Sequence, residues 1–119
     1  MGTKEELKEA ARRALLGEAD ALRAAAERID ERLVVATDLI LRADRSRVIV
    51  TGLGKSGLVG QKLAATLSST GTPAVFLHPS EAAHGDLGMV RKGDPVLMIS
   101  KSGTTTELMR MVHAFRDLR

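Results

Sequence analysis

Two short stretches of this 119-residue chain gather the residue types that hold phosphate. The first, "VIVTGLGKSGLVGQK" (Val48 to Lys62), sets Gly52, Gly54 and Gly57 around Lys55 and Ser56, between an apolar run and a helix-like stretch. The second, "SKSGTTTE", puts five hydroxyls, those of Ser100, Ser102, Thr104, Thr105 and Thr106, around Gly103. Three ligands compete for the first stretch. Gly52, Gly54 and Gly57 satisfy G-x-G-x-x-G, the dinucleotide fingerprint, which also wants an acid about 20 residues on to hold the ribose. His78 occupies that place, and Glu81 lies beyond Pro79, so the fingerprint is half met. Gly54-Lys55-Ser56 matches the end of a Walker A loop, but Ile49 stands where its first glycine belongs. The remaining reading is a small phosphate. Ser56 opens a helix, where free amides and the dipole favour an anion. One hydroxyl per helix suffices for a cap, and five around one glycine exceed that need. Two such turns at the carboxyl ends of parallel strands can face one crevice.

The elements that must position these turns follow from periodicity. Thr3 and Glu6 fit a capping box, and Leu7, Ala11, Ala14, Leu15, Leu22, Ala25, Ala26 and Ile29 recur at helical steps. Gly17 weakens this helix without ending it. A break near Asp30, itself an N-cap candidate, precedes a second helix, "ERLVVATDLILRA". "RVIVTG" then reads as a buried strand, "KSGLVGQKLAATLSST" as a helix stopped by Gly71, and "PAVFLH" as a second strand. "PSEAAHGDLGMV" is a loop or short helix, "DPVLMIS" a third strand, "KSG" a tight turn, and "TTTELMRMVHAFRDLR" a helix to the last residue. The order predicts an α/β layout with a parallel sheet of about three strands after two helices. So small a sheet is expected to be the front part of a domain, truncated on its C-terminal side, with 1–45 the N-terminal helices and 46–119 the phosphate-binding part.

Composition narrows the classes. The chain is 44% hydrophobic and 28% charged, an ordinary globular balance. Two Phe and no Trp or Tyr leave little for base stacking. Its net charge of +3 is spread among interleaved acids, so no nucleic-acid partner is expected. The absence of cysteine excludes disulfides and thiolate metal sites. No run approaches the length of a membrane span, so no membrane partner and a cytoplasmic setting are expected.

With these residues in view, the stretch from "VIVTGLGKSGLVGQKLAATLSSTGTPAVFLHPSEAAHGDLGMV" through "ISKSGTTTEL", more than half the chain, resembles a sugar isomerase (SIS) domain. It is most similar to the arabinose-5-phosphate isomerase family, which interconverts D-arabinose 5-phosphate and D-ribulose 5-phosphate. "STGTPAVFLHPSEAAHGDLGMV" is far more specific than the glycine fingerprint. The resemblance implies a Rossmann-like three-layer α/β/α sandwich, a homo-oligomer of two or more copies, and a sugar phosphate as ligand. It implies phosphate held by Ser100, Ser102 and Thr105, with Ser56 from the first turn, and Gly54, Lys101, Gly103 and His78 lining the pocket. Lys55, Glu107 and His84 match positions that take part in isomerisation. No cofactor and no metal are expected. Lys101 stands where the family has Asn, and Thr104 replaces a common acid. The family's later half supplies another glutamate, another histidine and further strands, so turnover is expected to need more than these residues.

Aldose–ketose isomerisation moves a proton between adjacent carbons through an enediol. It needs a base, a donor for the oxyanion and a grip on the remote phosphate. On the resemblance, Glu107 serves as general base, Lys55 polarises the substrate oxygen or pairs with the phosphate, and His84, oriented by Asp86 near it, acts as acid–base group or polarises a sugar oxygen. His113, among Met109, Met111 and Val112, reads as packing or surface. A non-catalytic phosphosugar-binding module and a self-associating structural piece remain the alternatives.

Overall fold

A computed structural model describes residues 2–42 and 46–117. Contacts divide the chain into two units, Met1–Ala36 and Thr37–Arg119. The first holds helix α1, Lys4–Ala26, and the start of α2, Glu31–Leu41. The capping box forms: Thr3 Oγ1 accepts from Glu6 N–H at 3.2 Å, and Glu6 Oε2 accepts from Thr3 N–H at 2.6 Å. The first helix stops at Ala26, short of the Ile29 that periodicity suggested, because Arg28 N–H and Ile29 N–H tighten onto Ala25 and Ala26 carbonyls. Asp30 then caps α2, accepting from Arg32 N–H at 3.0 Å. The Arg32 guanidinium beside it holds the Asp30 carboxyl below the usual carboxylate range.

The second unit is a three-layer sandwich. Strands β1 (Val48–Gly52), β2 (Ala74–Phe76) and β3 (Val96–Ile99) form a parallel sheet in the order β2-β1-β3. β1 is buried along its whole length, as a central strand covered on both faces must be. Alternation divides its side chains. Val48 and Val50 pack with Ala64 and Leu67 of α3 (Gly54–Ser69), and with Ile40. Ile49 packs on the other face with Leu77, with Ala82 of α4 (Pro79–Ala83), and with Leu108 and Met111 of α5 (Thr106–Asp117). Thr51, fully buried on that face, donates to Met111 Sδ at 3.8 Å.

Several elements besides α1 are shorter than the sequence suggested, and β3 keeps only Val96–Ile99 of the run from Asp94 to Ser100. β2 pairs only over Ala74–Phe76, because Pro73 has no N–H to donate and His78 turns away to begin α4. α5 begins at Thr106, since the hydroxyls before it fold into their own turn. "PSEAAHGDLGMV" resolves into α4 and a 3-10 turn, Asp86–Met89. Leu118 and Arg119, expected to finish the last helix, lie outside the described residues. Gly71 ends α3 as expected, with Thr72 N–H bonded back to Leu67 O at 2.9 Å.

Candidate functional site

Both glycine turns lie at one end of the sheet. β1 and β3 are neighbours in parallel register, with Gly52 opposite Ile99. The turn into α3 and the turn Ser100–Thr105 therefore leave adjacent strands at their carboxyl ends, where open α/β sheets take ligands. The first turn seats α3 by a contact of backbone on backbone. A Cβ on Gly57 would come within 2.6 Å of Gly52 O. That is the packing role of the fingerprint's third glycine, and it fixes where Lys55 and Ser56 stand. The α3 start is electrostatically bare: Leu53 gives no side-chain cap, and no acid lies in the first turn. Lys55 is exposed and Ser56 half-buried there. Free amides, the dipole's positive end and an ammonium together favour an anion.

The second turn is knitted by its own hydroxyls. Ser100 Oγ accepts from Gly103 N–H at 2.9 Å and lies 3.4 Å from Thr105 Oγ1. Gly103 has φ +72°, a conformation that suits glycine. Ser102 Oγ accepts from both Thr104 N–H and Thr104 Oγ1–H at 3.2 Å. Ser102 thus spends acceptor capacity inside the turn and keeps its hydroxyl proton as a donor, whereas Ser100 and Thr105 share one contact in which either hydroxyl can donate. Lys101, Ser102 and Gly103 are exposed.

Two further groups stand apart from this turn pair. A cavity of about 480 Å³ opens between α4 and α5, lined by Leu53 of the first turn and by His78, Ser80, Glu107 and Arg110 among apolar neighbours. It brings Glu107 and His78 together and adds Arg110, which sequence reasoning passed over. The available signal was its place three residues after Glu107, on the same helical face. His78 caps α4: its Nδ1 accepts from Ser80 N–H at 3.2 Å, which leaves the neutral ring's proton on Nε2. His84 ends the same helix, roughly 9 Å along its axis from His78 at 1.5 Å per residue. His84 does not line the cavity, nor do Gly54, Lys55, Ser56, Ser100, Lys101, Ser102, Gly103 and Thr105. Among the described residues no three His, Cys, Asp or Glu side chains gather as a metal site, and no helix is long and apolar enough to cross a membrane.

A larger cavity, about 580 Å³, lies at the opposite end of the strands, beside Arg47, Arg91 and Asp94. Asp94 there ties the sheet's entry together, accepting from Arg47 N–H at 3.2 Å and Arg91 N–H at 2.8 Å. Structural clamping explains those groups, so size does not locate the chemistry.

The model of the SIS domain matches residues 40–118, two thirds of the chain. The chain is 52% identical over 92 residues to the arabinose 5-phosphate isomerase KdsD of Francisella tularensis, a match covering 76% of this chain and 28% of that protein. It is 50% identical over 101 residues to KdsD of Pseudomonas aeruginosa, covering 85% and 31%. The chain thus spans about three tenths of the length of these relatives. A solved structure of an E. coli CFT073 protein in complex with arabinose 5-phosphate superposes with a TM-score of 0.88 at 35% identity, covering 98% of this chain and 62% of that one.

Proposed function

Because the chain belongs to the SIS domain family, we propose that it binds a sugar phosphate and carries part of the machinery that interconverts D-arabinose 5-phosphate and D-ribulose 5-phosphate. The observation that carries the proposal is the pair of turns on adjacent strand ends, one with a bare, positive helix start and the other lined with hydroxyl donors. In this reading the phosphate takes hydrogen bonds from Ser56, Ser100, Ser102 and Thr105 and from the α3 amides. Glu107 removes the proton from C2 of the open-chain aldose, and the electron pair moves to make the enediol. Lys55 holds the oxygen on which negative charge develops, and His84 relays the hydroxyl proton. Glu107 then returns its proton to C1, which yields the ketose with no net loss or gain of atoms. Relatives that are arabinose 5-phosphate isomerases, and a neighbour in complex with that sugar phosphate, support the choice of sugar.

A second reading is binding without turnover, since the bare start of α3 and the hydroxyl turn can hold an anion with no acid–base group taking part. Calorimetric titration with arabinose 5-phosphate, run beside an isomerisation assay, separates the two. Saturable binding that inorganic phosphate competes away is expected in both. Conversion to ribulose 5-phosphate marks the isomerase, and no binding at millimolar ligand would overturn both.

We also infer self-association. β3 is an edge strand of apolar, half-buried residues among the described residues, and Leu58 and Val59 of α3 are 65% and 59% exposed. Light scattering at micromolar concentration is expected to give at least a dimer, and a monomer mass would contradict it.

A further inference from the structure

Glu107 and Arg110 line one cavity three residues apart on α5. An acid followed three residues later by a base closes into an ion pair elsewhere in this chain: Glu5–Lys8 at 2.6 Å, Glu9–Arg12 at 2.8 Å and Asp20–Arg23 at 2.6 Å, all on α1. Glu107 and Arg110 share that spacing and order, yet among the described residues neither side chain forms a hydrogen bond or ion pair with protein. The guanidinium and the carboxylate thus stand separately around a space of about 480 Å³ walled chiefly by Leu53, Leu87, Met111 and alanines.

We propose that Arg110 is a specificity-determining residue that donates hydrogen bonds to the hydroxyls of the ligand's carbon chain, at the end remote from the phosphate. This inference rests on the phosphate reading above. One cation and one anion make the polar lining nearly neutral, which suits an uncharged polyol segment better than a second anion. The planar guanidinium offers donors in a fork that matches neighbouring oxygens, Glu107 accepts from a hydroxyl, and the apolar wall takes the C–H face. Along α5, Arg110 lies roughly 7.5 Å beyond Thr105 at 1.5 Å per residue, a separation that a five-carbon chain spans. His78, whose cap bond leaves Nε2–H as its donor, stands on the cavity's other side.

The test compares two ligands on each protein, inorganic phosphate and arabinose 5-phosphate, by calorimetry. The wild-type chain is expected to prefer the sugar phosphate. In R110A that preference falls about tenfold, the loss of one charge-assisted hydrogen bond at an exposed site, while the phosphate constant stays within about twofold. The ratio is internal to each sample, so a partly unfolded variant still reports it. An unchanged ratio, or an equal loss of both ligands, overturns the role of Arg110. Wild-type protein that binds phosphate without preferring the sugar overturns this inference and leaves the phosphate site standing. Wild-type protein that binds neither sinks the function reading, and this one with it.

Discussion

Gly57→Ala is expected to destabilise the second unit by about 2 kcal/mol and to weaken phosphate binding, whereas Gly17→Ala is expected to stabilise its helix. Both positions are helical, and alanine in a helix interior gains up to about 1 kcal/mol over glycine. The surroundings decide the sign. At Gly17 a new Cβ meets nothing within 4 Å, so the helical gain stands alone. At Gly57 it would sit 2.6 Å from Gly52 O, and with ordinary contact at 3.4 Å, α3 must withdraw by roughly 0.8 Å. The opposing atom is backbone in the central strand and cannot rotate aside. Overpacking of this kind costs up to about 3 kcal/mol, which outweighs the propensity gain. The displaced residues are the first turn of α3, with Lys55 and Ser56 on it. Urea unfolding midpoints read the stability change, and a phosphate titration at low temperature, where the variant stays folded, reads the loss of binding. Unchanged stability in Gly57→Ala would mean that α3 slides freely on β1, contrary to the packing described.

The same contact shows what a sequence reveals and what it hides. The order of elements and the parallel sheet were readable because each signal is local: Thr3 with Glu6, the β-branched run into Gly52, Gly71 after a helical stretch. The adjacency of the two turns followed from strand ends in a parallel layout, although the order β2-β1-β3 appears only in the register of Gly52 with Ile99. What stayed hidden depends on how side chains divide their bonds. Ser100 and Ser102 looked like spare hydroxyls, yet their oxygens close the turn that precedes α5 and delay that helix to Thr106. His78 occupied the place of a ribose-binding acid, and the structure uses its Nδ1 as a helix cap. Arg110 drew no reading from the sequence, where its one signal is its place three residues after Glu107. Its cavity exists only because α4 packs back against α5, a contact distant in sequence.

Ser102→Ala is expected to lower phosphate affinity by about 10-fold to 100-fold, the range for a hydrogen bond to a charged group, with almost no change in melting temperature. The separation of the two effects comes from exposure. Ser102 lies on the surface of its turn, as does Thr104. Removing Oγ frees the Thr104 N–H and hydroxyl, each held at 3.2 Å, and water satisfies both at little cost. An anion has no such substitute. With two hydrogen bonds accepted from Thr104, the Ser102 oxygen is polarised so that its own O–H is a stronger donor, and the alanine offers none. Ser100→Ala makes the contrast. Ser100 is half-buried and holds the Gly103 N–H at 2.9 Å, so its loss is expected to loosen the turn and lower stability along with binding. Calorimetric titration with inorganic phosphate and a thermal melt on each variant check the pair. If Ser102→Ala binds phosphate as the wild type does, the hydroxyls serve only to shape the turn, and the anion must be sought elsewhere on the chain.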